Sequence, residues 1–221
     1  MSMNLVIFGA GDIAQLAHFY LTRDSPWRPV AFTVDGAYVK ESSFEGLPVI
    51  PFEEIQTKHS PTDHSMFVAL SYSQVNQVRA AKYTEAKAKG YQLISYVSSK
   101  ATYFGTPIGD NCFIFEDNTI QPFTKIGSNV TLWSGNHIGH HSTIGDHSFI
   151  SSHVVISGGV TIESHCFLGV NSTIRDHVTI GARTVIGMGS MVTKNCDADS
   201  VYIGVPAQRK SSSAPDELKK I

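Results

Sequence analysis

From Ile138 to Ile162 the chain reads IGHHSTIGDHSFISSHVVISGGVTI, with isoleucine at 138, 144, 150, 156 and 162. Followed outward, the same spacing runs through Ile108, Ile114, Ile120, Ile126 and Leu132 on one side and Leu168, Ile174, Ile180, Ile186 and Val192 on the other, fifteen hexads without a break. Neither an α-helix, with a period near 3.6, nor a simple strand, with a period of 2, repeats every six residues. The residue four places after each aliphatic is small or of modest size, as at Cys112, Thr124, Val130, Ser142, Ser148, Val154, Cys166, Ser172 and Ser190. Two inward positions per hexad describe a short strand followed by a corner. Three such edges close into a triangular coil, and coils stacked at a strand spacing of about 4.8 Å bury the aliphatic ladder. The expected fold is a parallel β-helix of five coils. Its interior is dry, so function must sit on an outer face or between subunits.

The residue three places after each aliphatic is Asn111, Asp117, Phe123, Asn129, Gly135, His141, His147, His153, Gly159, His165, Asn171, His177, Arg183, Gly189 or Asn195. Asn, Asp, Gly and His tolerate a positive φ best, so the chain is expected to turn each corner here. Five histidines thereby acquire a structural reason. His140 is the only histidine at its place in the hexad, and His137 lies at the outer end of the preceding strand.

The 221 residues carry a net charge of −2 and only 16% charged side chains, which gives no basic footprint for nucleic acid or for an anionic membrane. Small molecules are the expected partners. Cys112, Cys166 and Cys196 are widely spaced and odd in number, which suits reduced, buried thiols rather than a zinc site. NLVIFGAG shows no signal-peptide pattern and no apolar run is long enough to span a bilayer, so a soluble cytoplasmic protein is expected.

Residues 1–96 follow a different grammar. Strands are expected at NLVIFGA, PVAFTVD, LPVI, MFVAL and YQLISYV, with helices at IAQLAHFYLTR and from about Gln74 to Lys89, giving a small open Rossmann-like α/β sheet. Gly9-Ala10-Gly11-Asp12-Ile13-Ala14 matches the G-x-G-x-x-A turn of nucleotide-binding units, and Asp35 ends the next strand where a ribose-binding acid belongs. Asp12 would favour the helix N-terminus while repelling a phosphate there. The domain holds only half of a dinucleotide fold, so no complete NAD site is expected. The β-helix is assigned to 97–209 and a polar, loose or short helical tail to 210–221.

A short Rossmann-like domain followed by these hexads and the closing YIGVPAQ resembles bacterial nucleotide-sugar N-acetyltransferases of the bacillosamine, viosamine and perosamine type, together with related sialic acid O-acetyltransferases. The resemblance implies a left-handed β-helix, a homotrimer, acetyl-CoA lying between subunits, and a role in surface polysaccharide or glycan biosynthesis. It assigns Gly9, Gly11, Asp12, Asp35, Gly36, Ser71 and Tyr72 to the sugar nucleotide, and Phe149, Val170, Met188, Arg209 and Lys210 to CoA. It makes His140 the general base, since the family's base hexad aligns with IGHHS; Gly139 and His141 stand where a carboxylate usually orients that base. Bacillosamine-type members carry a histidine in the first turn, where this chain reads GAGDIA.

One coil is eighteen residues, so Gly158 stacks beside His140 and its N–H is a candidate oxyanion donor. His141 is a corner residue that can also orient His140, as can Asp146. The expected reaction is acetyl transfer to the amino group, at C4, of a UDP-, dTDP- or GDP-linked amino-dideoxy sugar, with no metal. Two alternatives stay open: O-acetylation of a sugar or sialic acid on the same fold, and a γ-carbonic-anhydrase-like metal enzyme using His137, His140 and His141.

Overall fold

The computed structural model describes residues 3–210, so the expected tail lies, from 211 onward, outside the described residues. The chain divides into two compact units, residues 1–71 with 81–96, and residues 72–80 with 97 onward. The nine residues 72–80, expected in the first domain, therefore go with the second.

In the first unit β1 (Met3–Phe8) is an interior strand, followed by α1 (Asp12–Arg23), β2 (Trp27–Val34), β3 (Ser43–Phe44), β4 (Leu47–Pro51), α2 (Ile55–Lys58), β5 (Ser65–Val68) and, from residue 81 on, α3 (Gln77–Ala88), whose first four residues go with the second unit. The sheet order is β3-β4-β2-β1-β5, parallel except for β3 against β4. Leu5 to Phe8 are buried without alternation, as a parallel strand covered on both faces requires. Ala14, Ala17 and Leu21 form the buried stripe of α1.

Two sequence expectations fail here. YQLISYV supplies only an isolated bridge between Leu93 and Met66 and a two-residue strand at Tyr96–Val97. Side chains hold this segment instead: the Tyr91 hydroxyl donates to the His59 carbonyl and the Tyr96 hydroxyl to Asp24. The helix expected from Gln74 starts at Gln77, because Gln74, Val75 and Asn76 take left-handed φ values of 52°, 52° and 66°.

The second unit is the expected prism. Its strands are two residues long and stack in register at intervals of eighteen, for example Phe113, Thr131, Phe149, Phe167 and Val185. A second face stacks Thr119, His137, Val155, Thr173 and Met191, and a third stacks Lys125, Thr143, Thr161 and Thr179. The interval then changes: Val185 pairs with Val201, sixteen residues on. Aliphatic residues from Ile114 to Val192 line the interior. The buried Ser142 hydroxyl donates to the Ser157 carbonyl and accepts from the Val160 N–H, whereas Ser172 Oγ and Asn118 Oδ1 are buried without a partner among the described residues.

Of the fifteen positions expected at corners, all but Asn195 have positive φ, between 54° and 78°. Asn195 falls where the eighteen-residue interval is lost, and Asp199 (φ 54°) takes over the turn. Ring or amide contacts run along the corners. At the third corner Asn111 donates to Asn129, the Asn129 amide lies 2.9 Å from His147 Nδ1, and the His147 and His165 rings are 4.6 Å apart.

The outward positions of the first face are aromatic or aliphatic except at Thr131. Tyr72 and Val75 pack there with Phe149, Phe167, Val185 and Val201. Beside them the fully buried Arg79 donates to Asn76 Oδ1 (2.8 Å), the His147 carbonyl (3.0 Å) and the Asn129 carbonyl, while the Asn76 amide donates to the Cys166 carbonyl (3.1 Å). Burial lowers the Arg79 pKa to about 10, which leaves it charged at neutral pH.

Two outcomes follow from the corners. At His153 (φ 57°), replacement by Val places a β-branched residue in the left-handed region and is expected to cost about 1–2 kcal/mol in urea unfolding, whereas His153→Asn stays within about 0.5 kcal/mol of wild type. His147 has its pKa lowered from 6.5 to about 4, first by burial, then by His165 and Arg79. A depressed folded-state value means that the unfolded chain takes up the proton first, so stability present above pH 6.5 is lost as the pH falls from 6.5 towards 4. Urea midpoints at pH 7 and pH 5 should differ less in His147→Asn than in wild type; an equal difference would remove His147 from the acid response.

Candidate active site

His140 occupies the place just before a left-handed corner, and the corner fixes its backbone. Its N–H donates to Gln121 Oε1 (2.9 Å) and its carbonyl accepts from the Gly159 N–H (2.8 Å). The side chain is exposed. One coil on, a Cβ built on Gly158 would lie 2.7 Å from His140 Cε1 and 2.9 Å from Nε2. No residue but glycine leaves room for the imidazole in this position.

The backbone N–H of Gly158 is open, and the neighbouring hexads show why. At equivalent corner positions the N–H is taken by a side chain on an adjacent coil: His140 by Gln121, Ser128 by Asp146 (2.7 Å), Ala182 by Glu163 (2.8 Å). From the previous coil the residue that would reach Gly158 is Gly139, which has no side chain, and a Cβ there would lie 2.7 Å from the Gly158 nitrogen; Asp176, placed on the next coil as Asp146 is to Ser128, pairs with Arg175. Among the described residues the Gly158 N–H has no partner. Gly139 is thus a site residue that sequence reading passed over; writing the sequence in rows of eighteen would have set it against Gly158.

His140 Nδ1 lies 3.0 Å from His141 Nδ1, with the rings nearly perpendicular. The His141 ring packs on Phe123 of the previous coil. Asp146, considered as the orienting acid, is bonded to Ser128 instead. His137 stands on the second face between Thr119 and Val155. Among the described residues no three His, Cys, Asp or Glu side chains are grouped to hold a metal ion.

Of the residues assigned to CoA, Val170 and Met188 are exposed, 42% and 60%, and stand one coil apart at the first-face corner. Arg209 is exposed and pairs with Asp197 at 3.0 Å, beside Lys210 on the last strand. A cavity of about 270 Å³ at this end is lined in part by Lys194, Asn195, Tyr202 and Arg209. Phe149 is a correction: it is 1% exposed and locked between Tyr72, Phe167 and Trp133, so it packs the first face rather than offering a ligand surface. Tyr72, expected at the sugar nucleotide, is the other half of the same aromatic contact.

In the first unit Gly9 has φ 129°, and a Cβ there would meet the Ala69 carbonyl at 2.7 Å, so the turn needs glycine. Gly11 caps α1 in an extended conformation without a side-chain bond, leaving the first-turn N–H groups to solvent, with Asp12 next to them. Asp35 accepts from Lys82 (2.8 Å), which also pairs with Glu85. Burial opposes the Lys82 charge, but its hydrogen bonds to the two acids prevail and raise its pKa. The Gly36 N–H donates to Glu53. Ser71 follows β5, half-buried. A cavity of about 460 Å³ opens at the ends of β1 and β2, lined by Ala10 of the glycine turn and by residues such as Tyr38, Lys40, Glu41 and Phe44. That loop was not foreseen, because it has no periodicity and no motif. Among the described residues no helix is long and apolar enough to cross a membrane.

Residues 123–158 and 159–194 match the family model for bacterial transferase hexapeptide (six repeats). No curated protein sequence matches the chain. Among solved structures it is similar to PerB from Caulobacter crescentus in complex with CoA and GDP-perosamine, with 24% identity over 94% of this chain and 97% of that one and a TM-score of 0.84. It is similar also to the acetyltransferase domain of PglB from Neisseria gonorrhoeae in complex with acetyl coenzyme A (19% identity, 95% and 100% of the chains, TM-score 0.83) and to WeeI from Acinetobacter baumannii (21%, 94% and 100%, 0.73). The chain therefore has the hexapeptide-repeat fold of these proteins, an N-terminal α/β unit followed by a left-handed parallel β-helix.

Proposed function

We propose that the protein is an acetyl-CoA-dependent N-acetyltransferase acting on the amino group, at C4, of a nucleotide-linked amino-dideoxy sugar, and that it works in the cytoplasm as a homotrimer. One observation carries the reading: an exposed imidazole rests on a glycine whose own N–H is open, at a corner of a prism shared with proteins solved with CoA or acetyl-CoA, PerB with GDP-perosamine as well.

In this reading His140 Nε2 removes a proton from the acceptor ammonium, and the freed amine adds to the thioester carbonyl. The oxygen becomes an oxyanion beside the Gly158 N–H, a donor already in place and with no bond to break. As the carbon–sulfur bond breaks, the proton on His140 passes to the departing thiolate and the proton left on the attacking nitrogen is released to solvent, which gives the neutral amide. The base is restored, and no acyl-enzyme forms. Val170 and Met188 offer apolar contact to the pantetheine arm, and Arg209 and Lys210 meet the phosphates. Gly9, Gly11 and the cavity beside them receive the nucleotide; Asp12, Asp35, Gly36 and Ser71 border that end of the sheet. The nucleotide sugar belongs to glycan or surface-polysaccharide assembly.

A panel of UDP-, dTDP- and GDP-linked amino sugars, assayed with acetyl-CoA for release of free thiol, tests the reaction. With the accepted sugar, His140→Ala should lose a factor of about 10² to 10⁴ in kcat while the KM for acetyl-CoA stays within a few-fold of wild type. Wild-type turnover by this variant at the pH optimum would leave the amine deprotonated in solution and remove the base.

The trimer is a separate expectation. The interior of the prism is filled with aliphatic side chains, so assembly contacts and the CoA groove share its outer faces. Light scattering should give about three chains per particle; a fully active monomer would overturn it.

A further inference from the structure

A base that accepts a proton at Nε2 must carry its own proton at Nδ1, and something must hold that proton. A carboxylate does this by accepting only. Here the atom facing His140 Nδ1 is another imidazole nitrogen, His141 Nδ1, at 3.0 Å. Two lone pairs or two N–H groups at this distance would repel, so a single proton lies between the rings. Both are fixed in place. His141 is held by its left-handed backbone (φ 59°) and by its packing on Phe123, and His140 by its bond to Gln121 and by the space at Gly158.

We propose that His141 is the positioning residue of His140, a neutral imidazole in the place of the usual carboxylate, whose Nδ1 receives the His140 Nδ1–H bond in the tautomer that leaves Nε2 free to accept a proton. The inference rests on the acetyltransferase reading, in which His140 is the base. When His140 carries its Nδ1 proton towards His141, Nε2 presents a lone pair on the Gly158 side. After proton transfer the same hydrogen bond persists, now with an imidazolium donor. With the proton on His141 Nδ1 instead, His140 becomes an Nε2–H donor and is idle. A neutral partner therefore orients the base without adding a negative charge beside it. Gln121, Phe123 and Gly158, which touch the pair, carry no charge. Asp146 is bonded to Ser128, and Asp176, two coils on from His140, pairs with Arg175.

The test compares His141→Gly and His141→Asp with wild type in the full-length protein, since both residues suit the positive φ of this corner. With acetyl-CoA and the amino sugar accepted in the panel, His141→Gly should lower kcat at least about tenfold with little change in either KM. His141→Asp should restore turnover and move the acid limb of kcat/KM up by about one pH unit, because the carboxylate favours the imidazolium. Wild-type kcat in His141→Gly, or an acid limb that stays in place in His141→Asp, would overturn the pairing. Nitrogen-15 spectra of histidine-labelled protein separate this from failure of the reaction itself. The His140 Nδ1 resonance should be that of a protonated nitrogen in wild type and shift in His141→Gly, whether or not turnover depends on His140. An unprotonated His140 Nδ1 in wild type would also sink the proposal.

Discussion

Every sixth residue of the prism turns through a left-handed backbone conformation, and the rest of the second unit depends on it. A two-residue strand cannot bury its aliphatic side chain unless the chain bends at once, and a positive φ makes that bend within a single residue. The cost for an ordinary L-residue is about 1–2 kcal/mol, so Asn, Asp, Gly and His fill most of the positions, and the aliphatic ladder offsets what Phe123 and Arg183 add. Four of the five corner histidines need no further explanation than this. His141 differs only because its neighbour in sequence is another imidazole.

Regular corners make neighbours of residues eighteen apart. Gly158 lies against His140, Phe123 against His141, and Asn129 against His147. The environment of a side chain on this unit is therefore written in the sequence, one coil away. Two glycines in consecutive coils make the candidate site: Gly158 admits the imidazole, and Gly139 leaves the Gly158 N–H unclaimed.

This is why the prism, its corners and the contact between His140 and Gly158 were legible before any coordinates, whereas other parts were not. The signal ends with the period. After Val192 the interval shortens to sixteen, so that Cys196 pairs with Ile180 where the period would place residue 198, while staying buried as expected. Residues 72–80 gave no warning. Val75, a β-branched residue with φ 52°, defies local preference, and it is held by tertiary packing against Phe149 and Phe167. For the same reason Phe149, expected at CoA, is covered, since nothing local says that an outward aromatic on one face will be packed under a distant segment. The loop that lines the cavity of the first unit carries Tyr38, Lys40 and Glu41 in no recognisable pattern.

The same segment explains how one fold can hold an inert histidine and a reactive one on neighbouring corners. Arg79 and Asn76 fill the backbone acceptors around Asn129, His147 and Cys166, so the third corner is packed, and burial keeps His147 neutral far below its usual range. Its Nδ1 is engaged by Asn129, and its half-buried ring packs against His165. At the second corner the flanking positions are glycine, His140 is exposed, and the only group on its Nδ1 is an imidazole that can give or take the same proton. Both are imidazoles, His147 in a corner position and His140 one place before one. What separates them is the local supply of partners, saturated beneath Arg79 and held open by Gly139 and Gly158, and it is the open corner that can exchange a proton with a substrate.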